Sequence, residues 1–326
     1  MRAARCERYG PPDVVTVCDL ADPVPARDEV LIEIRAAAVN YPDVLTVADK
    51  YQVSVPTPFT PGSEFAGVVR AVGADVRSVE PGDAVMGSAM TGAFAELICV
   101  PASALTSKPD GLDWVSAAAF RVTYTTAYHA LVTFGAMRAG DWVVVLGAAG
   151  GVGTAAVDVA TRLGARVIAC ASSEERLAAA TKLGAEVGIA YDSEDLKTRI
   201  KEITGGGAQL VIDPVGGKYA EPALRALAPG GTFVTVGYAA GEIPRIPLNL
   251  VLLKDLTIRG VELRTLAQRH PAAPTHAQQA LAALVTAGMK PLVSQVFGLD
   301  DVAGALTSLN DRTAVGKVVI ALDGAC

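Results

Sequence analysis

A chain of 326 residues has room for about two domains, and 51% hydrophobic with 19% charged residues is a globular composition without disordered or low-complexity stretches. The formal net charge of −6 disfavours nucleic acid and anionic membrane surfaces as partners, and no uninterrupted apolar run is long enough to predict a membrane span. The five cysteines, Cys6, Cys18, Cys99, Cys170 and Cys326, lack metal-ligand spacing, and the N-terminal MRAARCERYG lacks an apolar signal core; a cytoplasmic location is expected.

Residues 1–121 read mainly as β structure. Residues 30–35 alternate, and 67–70 and 94–100 are further short β-runs, with Pro and Gly between them at Pro56, Pro58, Pro61-Gly62 and Pro81-Gly82. A compact β-barrel is the expected form. A helical segment over 113–134 leads into α/β alternation, beginning with the apolar run 143–146, the pattern of a parallel strand covered on both faces. A glycine-rich turn follows at once, from Gly147 to Gly153. The helix after it places Val152, Ala156, Val159, Ala160 and Leu163 on one face and Thr154, Asp158 and Arg162 on another, and Gly164 stands where it should stop. Strands are then predicted at 166–170, 186–190, 209–213, 232–236 and 256–260, with helices over 173–183, 194–203 and 219–227 between them. Six strands with helical crossovers make a complete dinucleotide-binding sheet. Helices over 275–287 and 300–309 and strands over 293–297 and 317–322 form a tail expected to complete the first domain. The predicted division is 1–121 with 262–326, and 122–261.

The glycine turn reads A-x-G-x-x-G, with Ala148 at the first position. Between a buried strand and an amphipathic helix, such a turn offers free backbone N–H groups and a positive helix end to a pyrophosphate. Gly150 and Gly151, with Val152, are the expected contacts, and Gly153 lets the helix pack closely. NAD sites usually carry a carboxylate about 20 residues further on, at the end of the second strand, to hold the ribose 2′-hydroxyl. Here that place reads Cys170-Ala171-Ser172-Ser173. Ser172 can donate to a 2′-phosphate and Arg176 can pair with it, although Ser172-x-x-Glu175 also reads as a capping box and Arg176 as a solvated helix residue. The missing carboxylate points to NADPH.

Six segments together resemble the medium-chain dehydrogenase/reductase superfamily, in particular its zinc-independent quinone oxidoreductase (zeta-crystallin-like) branch. They are AAAVNYPDVL (36–45), PFTPGSEFAGVV (58–69), VSAAAFRVTYTTAYHAL (115–131), VVLGAAGGVG (144–153), PRIPLNLVLLK (244–254) and VGKVVIAL (315–322). The resemblance implies an α/β chain with a GroES-like β-barrel catalytic domain, a Rossmann domain with a doubly wound six-stranded parallel sheet, a cleft between them, and a homodimer. Zinc alcohol dehydrogenases place metal ligands where this chain has Asn40, Ser63 and Val122, so no metal is expected. Without a Lewis acid, plain alcohol oxidation gives way to quinones and α,β-unsaturated carbonyls as acceptors.

By the same resemblance Asn40 is expected near the nicotinamide, though a polar turn residue before Pro42 is the plainer reading. Asp43 is expected to orient its neighbours at a helix start. Thr125 is a candidate partner for the nicotinamide carboxamide, or a hydroxyl bonding its own preceding turn. Tyr51, eleven positions after Asn40, is either a proton donor to developing oxyanion character or a rim aromatic. Tyr191, Val215, Val236, Tyr238 and Lys317 complete the expected cofactor contacts, with Lys317 also readable as a solvated charge. His129, His270 and His276 share no ligand spacing. Arg121 stands where relatives often have Pro, and residues 261–264 replace a bulky aromatic pair, so Glu262 or Arg264 could make the pocket more polar. Alternative readings are an enoyl-thioester reductase and, from another class, an NADPH-binding crystallin-like or RNA-binding protein without turnover.

Overall fold

The structure is a computed structural model that describes residues 1–263 and 265–322. The chain divides into two compact units, Met1–Val122 with the return segment from Lys290 onward, and Thr123–Met289. Among the described residues no helix is long and apolar enough to cross a membrane.

The first unit opens with an antiparallel pair, β1 (Arg2–Cys6) and β2 (Val15–Asp19). The long strand β3 (Glu29–Val39) follows, then helix α1 (Tyr41–Val47) and strands β4 (Glu64–Val72), β5 (Ala84–Ser88), β6 (Leu97–Pro101) and β7 (Leu105–Ser107). The first half of β3 alternates as its sequence requires, with Val30, Ile32 and Ile34 inside. From Ala36 to Val39 every residue is buried. The expected helix over 113–134 is three pieces. Asp113 caps α2 (Trp114–Ala118) by accepting from the Ser116 N–H at 2.7 Å, α3 (Arg121–Tyr128) follows after a break, and His129–Phe134 continues it as a π-helical segment.

The second unit holds β8 (Trp142–Leu146), α4 (Gly151–Arg162), β9 (Arg166–Ala171), α5 (Glu174–Lys182), β10 (Val187–Ala190), α6 (Leu196–Thr204), β11 (Ala208–Asp213), α7 (Ala220–Arg225), β12 (Leu227–Thr235), α8 (Leu248–Lys254) and β13 (Thr257–Gly260). Its six parallel strands run in the order β10-β9-β8-β11-β12-β13. That order reverses between β8 and β11, which makes the carboxyl ends of those two strands the binding crevice of a doubly wound sheet. All five residues of β8 are buried, as a central parallel strand demands. The Pro229-Gly230-Gly231 stop expected before a strand lies inside β12 as a register irregularity, because Ala208 already pairs with Leu227. The pattern of α4 predicts a solvated polar face, yet Thr154 and Asp158 are buried. Asp158 is met by Tyr124, whose hydroxyl donates to its Oδ2 at 2.9 Å, and by Arg162, whose Nε donates to Oδ1 at 2.6 Å, while the Thr154 hydroxyl bonds back to the Gly150 and Gly151 carbonyls.

Helices α9 (Leu266–Arg269) and α10 (Ala273–Thr286) also group with the second unit, whereas the sequence pattern places the return to the first at residue 262. Buried Ala277, Leu281, Val285 and Met289 fix this segment there, and Arg162 donates to the Ala287 carbonyl at 3.4 Å. The return segment then supplies β14 (Val293–Gly298), α11 (Val302–Asn310) and β15 (Lys317–Ala321) to the first unit. β15 pairs antiparallel with the buried end of β3, completing a sheet ordered β14-β15-β3-β4-β5-β7, with β6 on the other end of β3. Ile32, Ile34, Phe65, Phe94, Leu306 and Ile320 meet in its core.

Candidate functional site

In the second unit the glycine turn leaves β8 at the crevice. Gly147 has φ +58, so the tight turn is made one residue before the Ala148 to which the motif assigns it. The Ala148 N–H donates to the Cys170 carbonyl at 2.9 Å and locks the turn to β9. A Cβ on Gly153 would lie 2.1 Å from the Gly147 carbonyl oxygen, so α4 approaches the turn as closely as a backbone can. A Cβ on Gly150 would meet nothing nearer than 3.4 Å, which leaves that side of the turn open for a ligand. The first hydrogen bond of α4 runs from Thr154 N–H to Gly150 O, so Gly151, Val152 and Gly153 present N–H groups without a helical carbonyl. The turn fits a pyrophosphate.

Around it stand most of the other expected contacts. Gly147 and Val215 are neighbours: a Cβ on the glycine would be 2.6 Å from Val215 Cγ2. Val236 N–H donates to the Asp213 carbonyl at 2.8 Å, and a Cβ on Gly216 would sit 2.9 Å from Tyr238, so Val215, Val236 and Tyr238 share one loop cluster. Asp213 organises it, a residue that the sequence pattern does not single out. Its Oδ1 accepts from Val215 and Gly216 N–H groups, both at 2.8 Å, while burial pushes its carboxyl above the ordinary range. An aspartate at a strand end before Pro-x-Gly was the available signal. Ser172 is half-buried just past β9. The cap of α5 is Ser173, so the capping box anticipated for Ser172 is not what holds it. Tyr191 N–H donates to the Ala171 carbonyl at 3.0 Å, and its ring lies 4.1 Å from that of Tyr219. Arg176 is half-buried on the first turns of α5, and Thr125 half-exposed on α3 beside Tyr124.

In the first unit a second polar group assembles where β3 ends. Asn40 N–H donates to Asp43 Oδ2 at 2.8 Å, tying off the start of α1. The Asn40 carboxamide is fully engaged: Nδ2 donates to Glu64 Oε2 at 3.0 Å, and Oδ1 accepts from Lys317 Nζ at 2.6 Å. Lys317 also reaches Glu64 Oε2 at 3.1 Å, and Glu64 Oε1 accepts from the Val122 N–H at 2.6 Å. Glu64 is 0% and Lys317 3% exposed. Lys317, expected as a cofactor contact, therefore spends its ammonium inside the first unit. Asp43 is buried too, and burial raises its carboxyl to about 7 against the hydrogen bonds from Asn40 and Ser63. Asn40, Ser63 and Val122, the positions where zinc enzymes hold metal, are thus joined through Asp43 and Glu64. Glu64 lies in the PGSEF segment, but its role there is invisible locally because its partner is so far along the chain.

Tyr51 follows α1 after Asp49, whose φ of 51 lies in the left-handed region. The ring is half-buried and, among the described residues, its hydroxyl has no hydrogen bond to Asn40 or Asp43. Glu262 accepts from Thr265 N–H and Oγ1 at 2.9 and 2.6 Å, closing a turn; Arg264 lies outside the described residues. His129 Nδ1 pairs with Thr133 Oγ1 at 2.9 Å, and no group of His, Cys, Asp or Glu among the described residues has metal-binding geometry.

Comparison with known proteins gives these features a lineage. Residues 26–110 match the alcohol dehydrogenase GroES-like domain, and residues 151–286 the family described as zinc-binding dehydrogenase. The chain is 35% identical to the quinone oxidoreductase-like protein 2 homolog of Nematostella vectensis over 324 residues, 98% of this chain and 88% of that one. It is 30% identical to the Homo sapiens quinone oxidoreductase over 331 residues, 99% and 98% of the two chains. The chain belongs to the medium-chain dehydrogenase/reductase superfamily, among its quinone oxidoreductase-like members. It is an oxidoreductase. Solved medium-chain dehydrogenase/reductase structures similar to it include the Escherichia coli quinone oxidoreductase complexed with NADPH, with TM-score 0.92, 27% identity, and coverage of 99% and 100%. The quinone oxidoreductase from Thermus thermophilus, solved alone and with NADPH, has TM-score 0.86, 35% identity and the same coverage.

Proposed function

We propose that this oxidoreductase uses NADPH to reduce a quinone or an α,β-unsaturated carbonyl, without a metal ion. The observation that carries the cofactor reading is the end of β9, where the place of a ribose-binding carboxylate is taken by the half-buried Ser172, with Arg176 four residues on. NADPH-bound relatives support it. The N–H groups of Gly151 and Val152 and the positive end of α4 hold the pyrophosphate, Ser172 and Arg176 the 2′-phosphate, and Tyr191 lies beside them. Val215, Val236 and Tyr238 wall the crevice, and Thr125 is the proposed partner for the carboxamide. When bound, the dinucleotide supplies the hydride. Asn40, held by Glu64 and Lys317, fixes the polar floor of the first unit, while Asp43 keeps a proton near neutrality. Tyr51 is the proposed donor to the product oxyanion, a role for a phenol that among the described residues has no hydrogen bond to Asn40 or Asp43.

The donor set supports a metal-free reaction, since a committed carboxamide, a serine and a valine stand where soft or imidazole ligands would be needed. Loss of NADPH absorbance with a panel of quinones, enones and a crotonyl thioester, with NADH alongside, tests the reading. Quinone or enone turnover with NADPH preference is expected. Thioester turnover outrunning both would make it an enoyl-thioester reductase, and no turnover with any acceptor would leave a binding protein. Tyr51→Phe is expected to lower kcat with an enone at least about ten-fold while leaving NADPH affinity unchanged; full kcat would remove the acid role.

A homodimer and a cytoplasmic setting are part of the same proposal. β13 is the edge of the parallel sheet and all four of its residues are exposed; Leu248 and Leu252 of α8, the helix preceding it in the chain, are 74% and 83% exposed. An open strand edge pairs readily with its own copy about a two-fold axis, and exposed apolar side chains favour such an interface. Cys6, Cys18, Cys99 and Cys170 are free thiols, in keeping with a reducing compartment.

A further inference from the structure

The polar group in the first unit is balanced internally except at one residue. Glu64 has its two oxygens taken by Lys317, Asn40 and the Val122 N–H, so its charge is already met at contact distance by the Lys317 ammonium. Arg121, the residue immediately before Val122, is half-buried at the start of α3. Among the described residues its guanidinium makes one hydrogen bond, from NH1 to Thr106 Oγ1 at 3.0 Å, and no ion pair. Glu64 is the carboxylate that acts on it, at longer range, and burial lowers the Arg121 pKa against that attraction. Thr106 is in β7, paired with Met86 of β5, so the guanidinium is anchored to the sheet by one of its five donors.

A partly desolvated guanidinium with four uncommitted N–H groups is costly to hold in a fold and well shaped to take a planar anion with two oxygens. Asp43, the other buried acid of this polar group, is engaged with Asn40 and Ser63. The Lys108 ammonium, on the strand side of the same region, is likewise committed, to the Leu112 carbonyl at 2.6 Å and the Pro109 carbonyl at 3.3 Å. Among the described residues of this group, Arg121 is left with a positive charge that no protein anion touches.

We propose that Arg121 is a specificity-determining residue that selects acceptors carrying a carboxylate, binding it through the free edge of its guanidinium. That the bound anion is an electron acceptor rests on the reductase reading; the anion site itself rests on geometry alone. A neutral quinone leaves that edge unpaired, so the preferred substrates are acidic enones or acidic quinones.

Three probes of one skeleton test it: benzylideneacetone, its para-carboxylate, and the methyl ester of that carboxylate as the size-matched neutral control. Calorimetric binding to the NADPH-loaded protein is read for wild type, Arg121→Gln and Arg121→Lys, together with kcat/KM. The carboxylate is expected to bind wild type about ten- to a hundred-fold tighter than the ester. Arg121→Gln should erase that ratio with little change for the ester, and Arg121→Lys should keep part of it. NADPH affinity, governed by the second unit, reports that each variant is folded. Equal affinity of wild type for carboxylate and ester overturns the proposal, as does an Arg121→Gln variant that weakens both probes alike. Were wild type to bind the carboxylate selectively and turn over none of the three, the reductase reading would fail while the anion site stood.

Discussion

Asp43 shows how burial and hydrogen bonding compete at a single residue. Two hydrogen bonds favour its carboxylate, yet burial wins and raises the group from the ordinary 3.8 to about 7. The folded chain therefore holds a proton that the unfolded chain has released, and stability present in acid is lost as pH rises through about 7. Between about pH 5 and about pH 8, wild type should lose denaturant resistance relative to Asp43→Asn, and parallel curves would show that this carboxyl does not titrate there. Lys317 gives a second case. Lys317→Met would leave Glu64 buried without its counter-charge, at a cost of about 3–5 kcal/mol in chemical unfolding. Adding Glu64→Gln should restore much of that loss. A cost under about 1 kcal/mol for the single variant would mean that water reaches the carboxylate.

At the scale of elements, α4 is the piece on which the cofactor reading turns, and it is fixed at both ends. Gly153 lets its first turn rest on the Gly147 carbonyl, while Tyr124 and Arg162 hold Asp158 two turns later. Gly153→Val cannot be relieved by a side-chain rotation, because the obstacle is backbone. It should cost about 1–3 kcal/mol and abolish measurable NADPH binding. Retained cofactor affinity in that variant would show that the pyrophosphate sits elsewhere. The polar residues of α4 also show how a periodic pattern misleads: Asp158 lies on the polar side of the helix, yet it is buried beneath a tyrosine from another helix. The break-up of the 113–134 segment has a similar origin, since its Ala-rich composition sustains a helical pattern through a break that lies between Ala118 and Arg121.

At the scale of the molecule, the two units are each built around their own core, and the exposed β13 edge with α8 is the surface proposed to pair with a second copy. Ile258→Lys together with Leu252→Glu should shift the protein from dimer to monomer by light scattering on a sizing column, leaving NADPH binding intact. A wild-type monomer at micromolar concentration, or a dimer indifferent to both changes, would exclude this edge.

Short-range pattern alone determined the β8 strand, the glycine turn, α4 and the missing carboxylate after β9, because strand burial, turn chemistry and helix period are all written within a few residues. It also carried the family resemblance and the absence of metal-ligand side chains at Asn40, Ser63 and Val122. Only the tertiary structure decided what Glu64 and Lys317 do. They lie 253 positions apart, and nothing in either local sequence says that a strand from the end of the chain will lie against β3 and bury its ammonium beside Asn40. The same holds for Arg121, whose uncommitted donors become visible only once its neighbours are seen to be engaged with each other. An ion pair depends on distance in space, and sequence spacing constrains that distance only within an element or a turn.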